Sequence, residues 1–206
     1  RIKDKNLVKI NNKELIKFTI EAAIKTKKID KIIVSSDDDK ILKIAKKFRT
    51  IAVKRPKKIS GDTATTEQAI LHSYNYFYKK KYTKVKNIIL LQPTSPLRNE
   101  KHIKECINLF EKKKYNSIFS AYTKKEFMWK NKNKKIVSFY YNFKKRIRTQ
   151  KMDELIFENG AIYIFSAKGF IKFNNRLFGK IGVYFMKKTE SIDIDHKEDV
   201  EFLKRI

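Results

Sequence analysis

The residues best suited to chemistry are two aspartates near the carboxyl end of the sequence. Asp193 and Asp195 belong to the run Ser-Ile-Asp-Ile-Asp at residues 191–195. In a strand, residues two positions apart point to the same face, so both carboxylates are expected to project together. Close carboxylates repel one another unless a cation lies between them, and Mg²⁺ prefers such hard oxygen ligands. The spacing predicts a magnesium site, with a solvated strand end or a helix cap at Asp195 as the alternative.

A second candidate is the run Gln-Pro-Thr-Ser-Pro-Leu-Arg at residues 92–98, which directly follows an apolar segment. Its two prolines restrict the backbone. Gln92 offers hydrogen-bond donors and acceptors, and Arg98 offers a planar fork of donors. These features suit a rigid ligand-binding loop, and they suit equally a stiff connection between a strand and a helix.

Further polar residues lie in the first third of the sequence. Arg55 could clamp an anion, and Ser60, Asp62 and Thr63 follow it closely. The alternative for this Ser, Asp and Thr cluster is to cap the helix expected after it. Lys5 could act as a point charge beside a phosphate, although a Lys in so basic a chain is most often a surface residue.

Apolar runs alternate with segments of helical periodicity, and this alternation predicts the scaffold. Strands are expected at 32–34, 51–53, 87–91 and 117–121, of which 32–34 and 87–91 are expected to be buried, and helices at 13–28, 37–48, 65–78 and 101–113. The order indicates an α/β fold of three layers, Rossmann-like, with a mainly parallel sheet between helices. Ligands bind beyond the carboxyl ends of such strands. The polar runs at 35–37 and 92–98 follow two of these strands directly.

Residues 122–158 interrupt the pattern, because they are rich in Lys, Asn and aromatic side chains. We interpret them as a small inserted arm with a hairpin strand at 136–141. Beyond the arm, strands are expected at 159–165 and 183–186, and helices at 167–173 and 198–205. No linker rich in Gly and Ser divides the sequence, so residues 1–206 are expected to form a single domain.

Composition limits the possible functions. The 206 residues include 50 basic and 22 acidic side chains, a net charge of +28, which favours anionic substrates. Lys far outnumbers Arg and is spread along the whole sequence, which argues against dedicated nucleic-acid binding, although a non-catalytic polyanion-binding protein stays an alternative. The single Cys106 excludes a disulfide framework and a Cys-based zinc site. No membrane helix or signal peptide is visible, so a cytoplasmic location is expected.

Taken together, the polar segments resemble the acylneuraminate cytidylyltransferase family, the CMP-sialic acid synthetases and their bacterial nonulosonate relatives. The similarity is carried by residues 5–7 (Lys-Asn-Leu), 33–37 (Ile-Val-Ser-Ser-Asp), 55–56 with 60–63, 90–98, 159–164 (Asn-Gly-Ala-Ile-Tyr-Ile) and 191–195. It implies a nucleotidyltransferase fold and the Mg²⁺-dependent transfer of CMP from CTP to the anomeric hydroxyl of a sialic-acid-like nonulosonic acid, which releases pyrophosphate. A CMP-Kdo synthetase, which uses the same chemistry on an eight-carbon acid, is the near alternative.

The resemblance also implies residue roles. Asp193 and Asp195 would hold Mg²⁺, and Lys5 would neutralise triphosphate charge. Contacts to the two substrates would come from Asn6, Arg55, Ser60, Asp62, Thr63, Gln92, Arg148, Gln150, Asn159, Tyr163 and Phe178. Within that set, Gln92, Asn159, Tyr163 and Phe178 would face the sugar. A homodimer formed through the 122–158 arm is implied as well.

The sequence departs from the family pattern at its beginning. Family members open with a buried strand and a small-residue loop ending Gly-Ser-Lys, which cradles the nucleotide, whereas this sequence starts inside that loop. We therefore expect the domain to be N-terminally incomplete. If the molecule began at Arg1, its sheet would lack a central strand and nucleotide binding should fail.

Overall fold

The computed structural model describes residues 2–79 and 84–205. Arg1, on which the expectation of an incomplete domain rests, lies outside them. The strands are β1 (Lys9–Ile10), β2 (Lys13–Glu14), β3 (Ile33–Ser36), β4 (Ile51–Lys54), β5 (Asn87–Leu90), β6 (Ser117–Lys124), β7 (Met128–Lys132), β8 (Lys135–Phe139), β9 (Leu155–Ser166) and β10 (Ile181–Phe185). The α-helices are α1 (Leu15–Lys25), α2 (Asp39–Lys47), α3 (Thr66–Lys79), α4 (Glu100–Lys112), α5 (Ala167–Phe173) and α6 (Lys197–Lys204).

The largest sheet contains four strands in the order β10-β6-β9-β5. β10 runs parallel to β6, while β9 runs antiparallel to both β6 and β5. β3 and β4 form a separate parallel pair. The α/β class is therefore confirmed, and the sheet is mixed because the chain returns from the arm along β9 in the opposite direction.

Helices cover both faces of the four-stranded sheet. On one face, the fully buried Ile118, Ile162 and Ile164 pack with residues of α4 and with Ala22 of α1. On the other face, Tyr163 and Phe165 pack against Phe170 of α5 and Ile70 of α3. Alternate residues of β9 thus enter opposite cores, as the pleat of a strand requires. Each fully buried Ile contributes about 1.5–3 kcal/mol through removal of its side chain from water.

The β3–β4 pair has its own helical cover. Ile16 and Ile20 of α1 pack with Val34 of β3 and with Ile41 and Ala45 of α2. α1 therefore packs against both sheets, since its Ala22 belongs to the core of the larger one. This shared helix holds the two sheets beside each other.

A cleft of about 960 Å³ separates the two sheets. It is lined by residues 32–38, which include β3, and by residues 84–93, which include β5. β3 and β5 are each the last strand on one side of their sheets. Both strands therefore line the cavity along their whole length, and the residues that follow their carboxyl ends, 37–38 and 91–93, share it. That placement agrees with the rule for ligand sites in such sheets.

The arm consists of the outer ends of β6 and β9 together with the hairpin β7–β8. Tyr122 and Phe157 stack at 5.3 Å where the outer ends pair, and Trp129 of the hairpin contacts the ring of Tyr141 edge-on. The hairpin strand expected at 136–141 is present as β8, paired with β7 in antiparallel register.

Two expectations for individual elements were wrong in detail. The helix expected from residue 13 begins at Leu15, because Lys13 and Glu14 form β2 and pair with β1 through a turn at Asn11 and Asn12. Both asparagines have a positive φ, which suits the tight hairpin turn that Asn favours. The segment 191–195 is not a regular strand, since it passes from a short 3₁₀ turn to α6 without strand pairing. Across the parts of the chain described, no helix is long and apolar enough to cross a membrane.

Candidate active site

The acidic segment lies against the loop that begins at Gln92. The backbone N–H of Ile194 donates to the carbonyl oxygen of Thr94 at 2.9 Å. The Ile194 side chain is fully buried beside Leu15 and Val200, whereas Asp193 and Asp195 on either side are exposed. The segment is not a strand, yet its side chains alternate in direction as those of a strand would. Because Ile194 points into the core, both flanking carboxylates point outward.

The environment of Asp193 disfavours its negative charge. Although the residue as a whole keeps solvent-accessible area, its carboxyl group is partly enclosed; this partial burial raises the pKa of Asp193, and the nearby Asp195 raises it further. A hydrogen bond from Thr94 and the charge of Lys5 act in the opposite direction. A carboxylate whose ionised form is disfavoured by its surroundings gains most from a bound cation.

Lys5 supplies a positive charge to the same place. It begins a short 3₁₀ helix, Lys5–Leu7, and its Nζ donates to the carbonyl oxygen of Ile194 at 2.7 Å and to Asp195 Oδ1 at 2.9 Å. The start of the chain and its acidic segment, 190 residues apart, are thereby joined. Lys5 is held where a triphosphate near the two aspartates would meet its ammonium group.

The helix-cap alternative for Asp195 is wrong. His196 is the N-cap residue of α6, and Asp199 in the first turn accepts hydrogen bonds from the backbone N–H groups of Asp195 and His196, at 2.9 and 2.7 Å. The Asp195 carboxylate points instead to Lys5.

The donor set fits a metal that is shared with a substrate. Within residues 2–79 and 84–205, no group of three or more His, Cys, Asp and Glu side chains is gathered to hold an ion. Mg²⁺ commonly takes one or two carboxylates and completes its shell with phosphate and water oxygens. Asp193 and Asp195 suit that arrangement and do not suit an all-protein cage.

Asn159 is the buried link between the sheet and the acidic segment. Its Oδ1 accepts from Ser120 Oγ at 2.6 Å and from the N–H of Ala161 at 3.2 Å, and its Nδ2 donates to Ser191 Oγ at 2.9 Å. The β6–β9 register shifts beside it, as in a β-bulge. Because this amide is committed to protein atoms, the structure favours a role in holding Ser191 over the direct sugar contact that the resemblance implies.

Gly160 continues the bulge and touches Gln92. Its φ is +71°, and a Cβ built there would lie 2.5 Å from Gln92 Oε1. The absence of a side chain lets the Gln92 amide lie directly on the backbone of β9. Gln92 also lines the cleft, as the sequence predicted for a ligand-binding loop.

The other end of that loop is structural. Arg98 is buried, and its guanidinium donates to the carbonyl oxygens of Gln92 and Ala161 and to Thr19 Oγ1, at 3.1, 3.2 and 2.6 Å. Burial lowers the pKa of Arg98 to about 10. Both interpretations of residues 92–98 therefore apply, each to one end of the loop. Arg98 belongs to a stiff connection between strand and helix, whereas Gln92 lies at the cleft, where it could contact a ligand.

On the β3 side of the cleft, Arg55 meets Ser60. Its Nε donates to Ser60 Oγ at 3.1 Å, and its Nη2 lies 3.7 Å from Asp37 Oδ1. Arg55, Ser60 and Asn6 all line the cleft. These three residues are therefore brought to one cavity with Lys5 and Gln92.

Asp62 and Thr63 occupy an exposed turn outside the lining of the cleft. They do not cap α3, because Thr65 does so: Thr65 Oγ1 accepts from the N–H of Gln68 at 3.2 Å, and the Gln68 side chain accepts from the N–H of Thr65. The capping alternative for Asp62 and Thr63 is therefore wrong, and their contact with nucleotide stays a prediction.

Tyr163 and Phe178 lie on the α3 and α5 side of the sheet. The Tyr163 hydroxyl donates to Glu158. The pKa of Tyr163 is raised, mainly because the hydroxyl is buried and to a lesser extent because of this hydrogen bond. The ring of Phe178 is buried against Gly169 and stacks on Phe173 at 5.4 Å. Phe178 is thus a core residue here, and a sugar contact for it finds no support in its surroundings.

Arg148 and Gln150 lie in the arm. They line a separate recess of about 420 Å³, in which Arg146 stacks on Phe127 at 3.9 Å, and neither residue lines the cleft between the sheets. The structure therefore does not bring them to Asp193 within one chain.

Sequence reasoning missed Ser120, Glu67, Glu158 and Arg176. Ser120 holds Asn159, Glu158 and Arg176 contact Tyr163, and Glu67 pairs with Arg176. Nothing in a lone Ser or Glu marks such a role. Arg176 carried one weak signal, as one of few Arg residues in a chain dominated by Lys.

Comparison with known proteins gives a consistent picture. A family model described as Cytidylyltransferase matches residues 1–206. The chain is 29% identical to N-acylneuraminate cytidylyltransferase of Escherichia coli over 212 residues, which cover 97% of this chain and 47% of that protein. It is 27% identical to pseudaminic acid cytidylyltransferase of Campylobacter jejuni, over 99% of this chain and 89% of the relative.

A solved structure supports the fold. The chain is similar to CMP:2-keto-3-deoxy-manno-octonic acid synthetase complexed with CTP, with a TM-score of 0.69 and 11% identity over all of this chain and 92% of the other. At that identity the likeness shows the fold alone, and it confirms the α/β nucleotidyltransferase class. The chain spans about half the length of the Escherichia coli relative.

Proposed function

Because the chain belongs to the cytidylyltransferase family, we propose that the protein transfers CMP from CTP to the anomeric hydroxyl of a sialic-acid-like nonulosonic acid and releases pyrophosphate. The observation that carries the proposal is the interaction of Asp193 with Lys5 and with Thr94 of the loop that begins at Gln92, while Lys5 and Gln92 themselves line the cleft. The relatives named for neuraminate and pseudaminate transfer support the choice of an acidic nonulose.

The proposed reaction needs charge stabilisation more than a side-chain nucleophile. The sugar hydroxyl attacks the α-phosphorus, and negative charge develops on the phosphoryl oxygens and on the departing pyrophosphate. Mg²⁺ held by Asp193 and Asp195 would supply Lewis-acid stabilisation of that charge. Lys5 neutralises triphosphate charge from the position that its contacts with Ile194 and Asp195 fix.

The cleft offers distinct groups to the two substrates. Arg55, Ser60 and Asn6 would bind CTP from the β3 side, and Gln92 would orient the sugar from the β5 side. Asn159 would act through Ser191, by holding the backbone that presents Asp193. Since CTP is an intracellular nucleotide, we place the reaction in the cytoplasm.

We further propose that two copies associate through the arm. Trp129, Phe139, Tyr140 and Phe143 expose large aromatic surfaces there, at 40–53% of their full area. Exposed aromatic clusters of this kind are typical of protein interfaces. Arg148 and Gln150, for which the resemblance implies contact with the sugar carboxylate or the phosphates, lie beside this surface in the separate recess.

The experiment is a pyrophosphate-release assay on the full-length protein with CTP, Mg²⁺ and a panel of acids. Release with N-acetylneuraminate, legionaminate or pseudaminate, and none with Kdo, is the expected outcome. Release with Kdo alone would support the eight-carbon alternative. Binding to any polyanion without turnover, retained in Asp193→Ala, would identify a non-catalytic basic protein instead.

A further inference from the structure

The arm carries positive charge at a higher density than the rest of the chain. Residues 127–152 hold nine basic side chains and no acidic one, whereas the other 180 residues hold 41 basic and 22 acidic side chains. All nine are exposed. A surface with charge of a single sign attracts a partner of the opposite sign and raises its local concentration.

The end of the β7–β8 hairpin concentrates this charge. The strands are joined by a turn of two residues, Asn133 and Lys134, and Lys132 is paired directly with Lys135 across it. Like charges directly opposite one another destabilise an antiparallel pair. Lys134 also has a φ of +64°, which such turns usually give to glycine. Charge repulsion and backbone strain therefore both oppose three lysines at this place, and an anionic partner would offset both.

An exposed aliphatic side chain lies beside these lysines. Ile136 directly follows Lys135 and is 65% exposed, the highest value among the large hydrophobic side chains that the structure describes. An apolar side chain flanked by cations is typical of protein surfaces that lie at the boundary between lipid headgroups and acyl chains. There the cations meet headgroup phosphates and the apolar side chain leaves water.

Two observations favour a lipid surface over a nucleic acid. The nine basic residues are seven Lys and two Arg, whereas Arg is the residue suited to bidentate phosphate contacts and to stacking. Proteins that bind single strands also offer aromatic faces on which bases stack. The Trp129 ring is instead packed against Tyr141 and Phe143, and the end of the hairpin exposes an isoleucine.

The end of the hairpin is separate from the aromatic surface proposed for the dimer. Trp129 and Phe139 belong to the first two residue pairs of the hairpin, whereas Lys132 and Lys135 form its last pair. Three residues of β7 separate Trp129 from Lys132, a distance of about 10 Å along a strand. Two arms joined at their aromatic bases would keep both hairpin ends free to bind one surface together.

We propose that the end of the hairpin, Lys132 to Ile136, binds the protein reversibly to membranes that contain anionic phospholipids. The lysines are attracted to the headgroup phosphates, and Ile136 enters the boundary of the acyl chains. None of residues 132–136 lines the cleft between the sheets. The inference therefore does not depend on the reaction proposed above.

The test is flotation of the full-length protein with vesicles of phosphatidylcholine alone or of an equimolar mixture of phosphatidylcholine and phosphatidylglycerol. We expect flotation with the mixed vesicles only, and its loss at high salt concentration. Lys132→Gln combined with Lys135→Gln should weaken binding about thirtyfold, because each Lys near an anionic surface contributes about 1 kcal/mol. Ile136→Ser should weaken binding about tenfold.

The matched control is Lys43→Gln combined with Lys47→Gln, which removes two exposed lysines from α2 and changes the net charge equally. Vesicle binding by this variant should equal that of wild type. A control that loses as much binding as the hairpin variant would show that only the overall charge matters, and would overturn the proposal. Equal flotation with both kinds of vesicle, or with neither, would also overturn it.

A parallel titration with polyuridylate separates lipid from nucleic acid. Binding to polyuridylate that the paired lysine substitutions weaken, with no effect of Ile136→Ser on either partner, would assign the surface to single-stranded RNA and overturn the lipid proposal. A wild-type protein that transfers CMP but does not float with anionic vesicles overturns this inference alone. A protein that floats as expected but shows no turnover supports this inference and overturns only the proposed function.

Discussion

At the scale of single residues, the site depends on a carboxylate that its own surroundings disfavour. The pKa of Asp193 is raised above its ordinary value of 3.8, first by burial. The ionised form of Asp193 is therefore less stable in the folded protein than in the unfolded chain. Functional sites often carry such unfavourable charges because a ligand compensates them.

We predict that Asp193→Asn leaves the melting temperature of the metal-free protein unchanged or raises it at neutral pH. A raised carboxyl pKa gives stability that is fully present below the ordinary pKa and is lost as the pH rises through the folded value. The difference between variant and wild type should therefore shrink as the pH falls towards 3.8. Thermal unfolding across this pH range is the measurement.

Asp195→Asn is the matched control for that experiment. It removes the ion pair with Lys5, whose side chain is 23% exposed while that of Asp195 is 62% exposed. Pairs with so much solvent contribute about 0–1 kcal/mol, so a small loss of stability is expected. Clear destabilisation by Asp193→Asn in the absence of metal would contradict the role assigned to Asp193.

At the scale of elements, the bulge in β9 supports the part of the site that we propose for the sugar. Asn159 turns inward to Ser120 and Ser191, and Gly160 lets Gln92 approach the backbone. One irregularity in one strand thus positions both the acidic segment and the Gln92 amide. Bulges next to active sites commonly redirect side chains in this way.

We predict that Gly160→Ala lowers stability by about 1–2 kcal/mol, because an L side chain is strained at a φ of +71°. The new methyl group also displaces the Gln92 amide, so KM for the sugar should rise more than KM for CTP. Urea denaturation and steady-state kinetics measure the two effects.

Gly61→Ala provides the control for the bulge. Gly61 lies in the turn before α3, and a Cβ there would have no heavy atom within 4 Å. Its stability should stay close to wild type, which makes it a control for the effect on folding. If Gly160→Ala is as stable as Gly61→Ala and keeps the wild-type KM for the sugar, the contact between the bulge and Gln92 has no functional role.

Most elements follow from the sequence, and the exceptions have physical reasons. The helix expected at 167–173 is α5, residue for residue, because apolar spacing and a Ser cap define it locally. β9 runs antiparallel to its neighbours because of the path that the chain takes through the arm. The hydrophobic periodicity of a segment predicts that it is a strand but does not predict its direction in the sheet. The two-residue strands β1 and β2 are too short to show any period.

For the site, topology predicted more than individual side chains did. The rule that ligands gather at the carboxyl ends of strands predicted that residues 35–37 and the start of the run 92–98 share one cleft, and residues 35–37, Gln92 and Pro93 do line it. The contacts of Arg176 with Glu67 and of Asn159 with Ser191 join residues 109 and 32 positions apart. No local pattern specifies such pairs, because they arise only when the elements pack.

At the scale of the whole molecule, the arm is the surface through which we propose that two copies associate. We predict that the full-length protein sediments as a dimer and that Trp129→Asp shifts it towards monomer, because a charge would enter an aromatic contact. Phe202→Asp on α6 alters an equally exposed aromatic residue outside the arm and should leave the dimer intact. A wild-type monomer at micromolar concentration, or equal effects of both variants, would contradict assembly through the arm.

The central claim is that Asp193 and Asp195 hold a divalent ion opposite the Gln92 loop during CMP transfer. The most direct measurement is a Mg²⁺ titration of pyrophosphate release from CTP and the acidic sugar, in wild-type protein and in Asp193→Asn. We predict saturable, Mg²⁺-dependent release in the wild type and none above background in the folded variant at any Mg²⁺ concentration. Release by the variant at the wild-type rate and with the wild-type Mg²⁺ dependence would contradict the account.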